Sequence, residues 1–334
     1  DRLLSRGLGD VYKRQSLTQE NILSNACETA KISFLSADTE DKRIKKLNDK
    51  KFDIIIIGNV GQLNKISSSR ALVVMVYHGI GLKQSYYTDI DPRVNIRSVE
   101  SVARFNELKS HGHDNIVLTG YTKLDRLVNF SNPEIKFKNQ KLELDPDKKS
   151  VLYAPSFYPT SIDKLHPYLL ELSQDHNIII KLHGFGWEQK KYQYQNSLCS
   201  ELSKKSNNIH LLQNEDYDII PYYLCADMLI SDISSTLFEY LPMDKPIIQA
   251  QCYNLKFKHR IFKKRFWKKM DIDRQDNVDF AYQIVEADDI LGMVYYAMDN
   301  HDEMSTKRKE ATEHYLYKVD GNASSRLIDA IEAY

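Results

Sequence analysis

The chain has no excess of charge of either sign: 46 Lys and Arg stand against 46 Asp and Glu in 334 residues, a formal net charge of zero. Without a global field, nucleic acid is excluded as the main partner, and any charged ligand has to be met by a local patch. Cysteine is scarce as well. The four, Cys27, Cys199, Cys225 and Cys252, are scattered with no CxxC pair, which argues against a disulfide framework or a thiolate zinc site and fits reduced thiols. No structural metal or cofactor is expected. The longest apolar runs, Ile54 to Ile57 and Ala71 to Val76, fall far short of the roughly 20 residues a membrane-spanning helix needs. Internal repeats and low-complexity tracts are also lacking. What remains is a chain long enough for two α/β domains of ordinary size, each with its own core.

Residues 1–15 are set aside, because Asp10-Val11-Tyr12-Lys13-Arg14-Gln15 is the in-frame translation of a transposon end used in sequencing libraries. After them, short β-rich runs alternate with charged helical stretches. Lys31 to Ala37, Phe52 to Ile57, Leu72 to Tyr77, Val94 to Val99 and Ile116 to Thr119 read as strands of a first domain, 16–130, truncated at its start. Near-continuous apolar strands are what a parallel sheet covered on both faces requires. Residues 131–149 carry two prolines, Pro133 and Pro146, few large apolar residues and many charges, and read as a linker. A second set begins at 150 with strands at Ser150 to Ala154, Asn177 to Leu182, Asn208 to Leu212, Met228 to Ser231 and Pro246 to Ala250. Helical segments separate them and continue from Ala287 to residue 334. The expected fold is α/β, two Rossmann-like doubly wound domains facing a central cleft.

Ligands of open α/β sheets sit beyond the carboxyl ends of strands, so polar residues there are the candidates. His78-Gly79-Ile80-Gly81-Leu82-Lys83 follows a strand; its glycines allow close approach, and an imidazole is suited to taking a proton from an alcohol. The plainer reading is a turn-closing histidine. Lys181-Leu182-His183-Gly184 stands likewise in the second domain, where His183 is suited to a phosphate oxygen. In Asp232-Ile233-Ser234-Ser235-Thr236 a strand runs into a hydroxyl-rich helix start. Ser234 and Ser235, with Asp232 and Thr236, supply more hydroxyls than one cap uses and suit a phosphate. Gly120-Tyr121-Thr122-Lys123-Leu124-Asp125 and Tyr153-Ala154-Pro155-Ser156-Phe157 complete the expected rim, though either is also ordinary turn chemistry.

Taken in order, HGIGLK at 78–83, GYTKLD at 120–125, LYAPSF at 152–157, KLH at 181–183 and ADMLISDISSTLFEYLPMDKPII at 226–248 resemble the CDP-glycerol glycerophosphotransferase family, as does the closing Asp320-Gly321-Asn322-Ala323-Ser324. The resemblance implies a GT-B fold, CDP-glycerol as donor, and a teichoic-acid-like or capsular polymer or its lipid-linked primer as acceptor. It implies His78 as catalytic base and His183 near the donor phosphates, with Ser234 and Ser235 as a pyrophosphate-binding pair. Glu239, where the family has aspartate, is assigned to ribose hydroxyls. Tyr121, Lys123, Asp125, Pro155 and Ser156 are assigned to the cleft, and Gly79, Gly81 and Lys83 to the acceptor side.

A basic stretch with interleaved aromatics includes Lys256, Arg260, Lys263, Lys264, Arg265, Lys268 and Lys269. It is expected to contact anionic lipid or an anionic polymer, at about 1 kcal/mol per basic residue near a charged surface; the plain alternative is a solvated helix. The location implied is the cytoplasm, peripheral on the inner face of the membrane. Two other functions fit less well: a transferase or epimerase using a UDP-sugar, and a polymer-binding protein without turnover.

Overall fold

Runs of Ile, Val and Leu bounded by polar turns set the strands. The structure, a computed structural model, describes residues 24, 28, 31, 33, 35–130 and 142–334, apart from 59, 62, 67–69, 78, 81–90, 263, 265–266 and 268–276. Two compact units divide the chain: Asp1–His78 with Asp89–Arg97, and Gly79–Thr88 with Ser98–Tyr334.

In the first unit, the helix Glu40–Lys50 starts at Thr39, whose hydroxyl accepts from Lys42 N at 3.3 Å, and carries Glu40 and Asp41 in its first turn, where negative charge suits the helix dipole. Strands β1 (Ile54–Ile57) and β2 (Leu72–Val76) pair in parallel with Ile54 opposite Leu72. Asn95, just before β3 (Ile96–Val99), donates its N–H to Val73 O and accepts from Val73 N at 2.9 Å. The strand expected at Lys31 to Ala37 does not form at its described residues.

The second unit holds β4 (Ile116–Leu118), beyond which Thr119 and Gly120 donate N–H to Val99 O. Its main sheet is six-stranded, in the order β10-β9-β8-β5-β6-β7, all parallel. These are Lys149–Ala154 (β5), His176–Ile180 (β6), Ile209–Leu211 (β7), Met228–Ser231 (β8), Ile247–Ala250 (β9) and Tyr282–Ile284 (β10). Alternate side chains leave opposite faces, and both faces are covered. Val151, Tyr153, Ile178, Ile180, Met228 and Ile230 pack with Leu165, Leu169 and Leu172 of the helix Ile162–Leu172 and with Val294 of the helix Asp289–Asp299. Leu152, Ala154, Ile179, Leu229 and Ile247 pack with Tyr223, Phe238 and Tyr315. Each fully buried leucine contributes about 2 kcal/mol, so a sheet buried on both faces is the chief source of this unit's stability. It also explains the apolar strands read from the sequence. The three-residue β10, at the sheet edge, was not anticipated; nor was the short helix Gly184–Glu188.

Candidate active site

From β5 the chain winds outward through β6 to β7, then returns to the other side of β5 at β8 and continues through β9 to β10. The order therefore reverses between β5 and β8, and loops leaving the carboxyl ends of those two strands diverge around the crevice where such sheets bind ligands. The segments after β5 and β8 are Pro155-Ser156-Phe157 and Asp232 to Glu239.

Asp232 ties them together. Its side chain is fully buried; Oδ1 accepts from Ser156 N at 2.7 Å, while Oδ2 accepts from Ser161 N at 2.9 Å and Ser161 Oγ at 3.0 Å. The Ser156 hydroxyl donates to Pro159 O. Burial pushes the Asp232 carboxyl up to about 6 from 3.8, against the opposing pull of those donors. Because the folded pKa exceeds the unfolded one, the folded chain takes up a proton first. This group's contribution to stability therefore rises as pH falls from 7 through 6 to 3.8, by about 3 kcal/mol in order of magnitude. Urea unfolding at pH 7.5 and 4.5 should show wild type gaining on Asp232→Asn at the lower pH; a pH-independent difference would contradict it.

Beyond Asp232 the hydroxyls form a chain. Ser231 Oγ donates to Ala154 O and lies 2.8 Å from Thr236 Oγ1, and Ser234 Oγ accepts from Thr236 N at 3.3 Å and Thr236 Oγ1 at 3.0 Å. Ser234 thus caps the turn that starts the helix Thr236–Glu239. Ser235 Oγ donates to Glu239 Oε1 at 2.9 Å.

Glu239 is completely buried and collects four donors. Oε1 accepts from Ser235 Oγ and, at 3.4 Å, from Tyr121 OH; Oε2 accepts from Lys123 Nζ at 2.6 Å and Tyr223 OH at 2.9 Å. The carboxylate assigned from sequence to ribose hydroxyls is therefore the anchor that holds Lys123 and Ser235 near each other. The carboxylate also pushes the Tyr223 hydroxyl's pKa up, in addition to the larger effect of burial. Lys181, after β6, is mostly buried. Burial holds its amine below the usual lysine range, with Asp216 opposing and the charge of Lys123 adding to the effect.

Asp125 has a different station from the one expected at a cleft rim. Its carboxylate accepts from Ala323 N at 2.9 Å and Ser324 N at 2.7 Å, capping the helix Ala323–Glu332. Arg326 on that helix donates to Thr119 O at 2.6 Å and pairs with Asp320. Gly120 sits between them at φ +92°, where a Cβ would come within 2.6 Å of Tyr317 O. The GYTKLD segment is thus clasped by the closing Asp-Gly-Asn-Ala-Ser segment, and this clasp fixes the backbone from which Tyr121 and Lys123 reach Glu239.

His183 is exposed and precedes the helix Gly184–Glu188, with Nδ1 accepting from Phe185 N at 3.1 Å. A neutral ring in that contact carries its proton on Nε2. Phe157, from the loop after β5, stands 4.7 Å from the His183 ring, and Phe185 stands 4.8 Å away. Pro155 and Gly79 are buried, and Ile80 packs in the core with Leu152. His78, Gly81 and Lys83 lie outside the described residues, as do Lys263, Arg265, Lys268 and Lys269. Sequence reading did not single out Tyr223 or Lys181. Lys181 stood inside the KLH motif, whereas nothing local marked the tyrosine.

A parallel sheet whose order reverses between β5 and β8, with the hydroxyls of Ser231, Ser234 and Thr236 at that switch point, defines an α/β protein of GT-B-like fold. The family model for CDP-glycerol:poly(glycerophosphate) glycerophosphotransferase matches residues 96–333, and the chain belongs to that family. A teichoic acid poly(glycerol phosphate) polymerase of Staphylococcus epidermidis is 26% identical over 187 residues, covering 54% of this chain and 23% of the relative. A teichoic acid poly(ribitol-phosphate) polymerase of Bacillus spizizenii is 24% identical over 236 residues, 65% of this chain and 33% of the relative. The chain thus spans between a fifth and a third of these relatives' lengths. A solved structure of the wall teichoic acid polymerase TagF, soaked with CDPG, aligns with TM-score 0.68 at 16% identity over 90% of this chain and 76% of its own. A UDP-GlcNAc 2-epimerase of Neisseria meningitidis aligns with TM-score 0.60 at 14% identity, over 94% and 90%. At these identities the likeness is one of fold. Among the described residues no helix is long and apolar enough to cross a membrane.

Proposed function

We propose that this chain transfers an alditol phosphate, glycerol phosphate in the first instance, from a CDP-linked donor to a hydroxyl of a teichoic-acid-like polymer or its lipid-linked primer, releasing CMP. The acceptor oxygen attacks the phosphorus that bears the alditol, the P–O bond to CMP breaks, and the hydroxyl proton passes to a base, the role given to His78. Residues 150–334 form the donor domain in this reading, and 16–130 the acceptor domain. Ser234, Ser235 and Thr236 open a helix at the switch point, where backbone N–H groups and hydroxyls suit a pyrophosphate. His183 donates from Nε2 to the departing phosphate, and Lys123 and Lys181 add positive charge on the same side. Positioning and charge stabilisation carry such a step, with no covalent intermediate. The reaction is placed in the cytoplasm at the inner membrane face, where a lipid-linked acceptor is reached.

The observation that carries this reading is the coincidence, in a member of this family, of the Asp232-to-Thr236 segment with the switch point of a parallel sheet. CMP release should be measured with CDP-glycerol, CDP-ribitol and UDP-sugars, each with a lipid-linked acceptor. Turnover with a CDP-alditol alone is expected; turnover with a UDP-sugar alone would move the protein to sugar transfer or epimerisation, and turnover with none would favour a binding role.

A further inference from the structure

The basic stretch begins against the active-site loops. Lys256 places Nζ 4.7 Å from the centroid of Tyr158 and 5.2 Å from that of Tyr192, while Lys191 places Nζ 4.7 Å from the same Tyr192 ring. Each distance is within the range of a cation–π contact. The backbone is pinned too: Lys256 N donates to Tyr158 OH at 3.1 Å, and His259 Nδ1 lies 2.5 Å from the same hydroxyl. Tyr158 belongs to the loop after β5 that Asp232 holds. From His183 to Phe157, from Phe157 to Tyr192 and from Tyr192 to Lys256 Nζ are three steps, none longer than 5.2 Å. Two ammonium groups thus share one ring, which is linked to His183 through Phe157. Among the described residues neither has a carboxylate within ion-pairing distance. Arg260, which faces Tyr158, directs Nε to Leu255 O. Burial and the charge of Lys191 together hold the Lys256 amine below the usual lysine range, as expected where two like charges lack a counter-ion.

We propose that Lys191 and Lys256, seated on Tyr192 and Tyr158, form a subsite for a phosphodiester of the acceptor polymer, next to the group transferred at His183. A phosphodiester carries one negative charge and two non-bridging oxygens, enough for one hydrogen bond from each amine and for relief of their mutual repulsion. The rings fix the amines at the carboxyl end of the sheet, where the reacting groups are handled. That favours a chain entering the site over the diffuse field of a lipid surface, for which mobile basic side chains suffice.

This inference rests on the proposed transfer to a phosphodiester polymer, and a binding measurement without donor separates the two. Fluorescence titration of the full chain with a synthetic glycerol phosphate oligomer is expected to show affinity falling about tenfold or more in the Lys191→Gln, Lys256→Gln double variant. Substitution of both by arginine should restore it, with unchanged thermal unfolding throughout. Binding should also weaken as salt is raised, less steeply in the glutamine variant. Equal affinity of wild type and glutamine variant for the oligomer would overturn the subsite. So would a lysine-dependent loss seen only with vesicles containing anionic phospholipid, which would assign the pair to the membrane, or only with inorganic phosphate. An oligomer bound through these lysines but never extended would leave the subsite standing and overturn the transferase reading.

Discussion

His183→Ala is expected to lower the rate of CMP release about 10²–10³-fold, equivalent to about 2.7–4 kcal/mol of transition-state stabilisation. The size follows from the role proposed for the ring. Nδ1 is engaged by Phe185 N, so protonation there would set two N–H groups against each other and break the contact that caps the helix Gly184–Glu188. A ring held this way serves as a neutral donor from Nε2 and not as an acid that gives up a proton. Two consequences separate this from a merely structural histidine. His183→Asn, which keeps an acceptor for Phe185 N and an N–H donor, should recover part of the lost rate. The loss should appear in kcat more than in the KM for donor, because charge on the leaving phosphate grows only as the bond breaks. Loss of the cap alone would cost about 1 kcal/mol of local stability and would leave kcat within tenfold of wild type. That outcome, or full recovery by a residue with no N–H donor such as His183→Leu, would remove the ring from the chemistry.

Strands and their carboxyl ends were legible in the sequence because a parallel sheet covered on both faces demands apolar residues at consecutive positions. Ile178, Ile179 and Ile180, whose side chains point alternately into the two cores, satisfy that demand in three successive letters. Position within such a sheet also made Asp232 and His183 visible as strand-end residues. What they bind within the protein was not visible. Asp125 meets Ala323 and Ser324 across about 200 residues of chain, and Glu239 receives Tyr121 and Lys123 from more than 100 residues away. Periodicity and spacing carry no information about such pairings, since they are fixed only when the sheet and the C-terminal helices have packed. The edge strand β10 escaped for the opposite reason. With one neighbour and three residues, it needs no long apolar run, and Gln283 sits exposed at its centre.

Replacing Glu239 with alanine should destabilise the second unit by about 3 kcal/mol, which for a unit of this size corresponds to a fall in Tm of about 6–12 °C. The carboxylate has no exposure, and its two oxygens meet two donors each, so removal strips four groups of an acceptor at once. They do not suffer equally. Lys123 is partly exposed and can turn to water, whereas the Tyr223 hydroxyl is buried with no other acceptor among its described contacts and takes the full desolvation penalty. Glu239→Gln keeps the volume but turns one oxygen into an N–H₂ that faces two donors, so it should recover no more than about half of the loss. Double-mutant cycles locate the effect: with Tyr223→Phe the alanine penalty should shrink by about 1 kcal/mol or more, because the orphaned hydroxyl is gone, while Lys123→Met should change it less. A Glu239→Ala protein that unfolds at the wild-type temperature would mean that this carboxylate is free to turn toward a ligand, as the ribose assignment supposes. A cycle in which Lys123 couples more strongly than Tyr223 would place the cost in an ion pair and not in the buried hydroxyl.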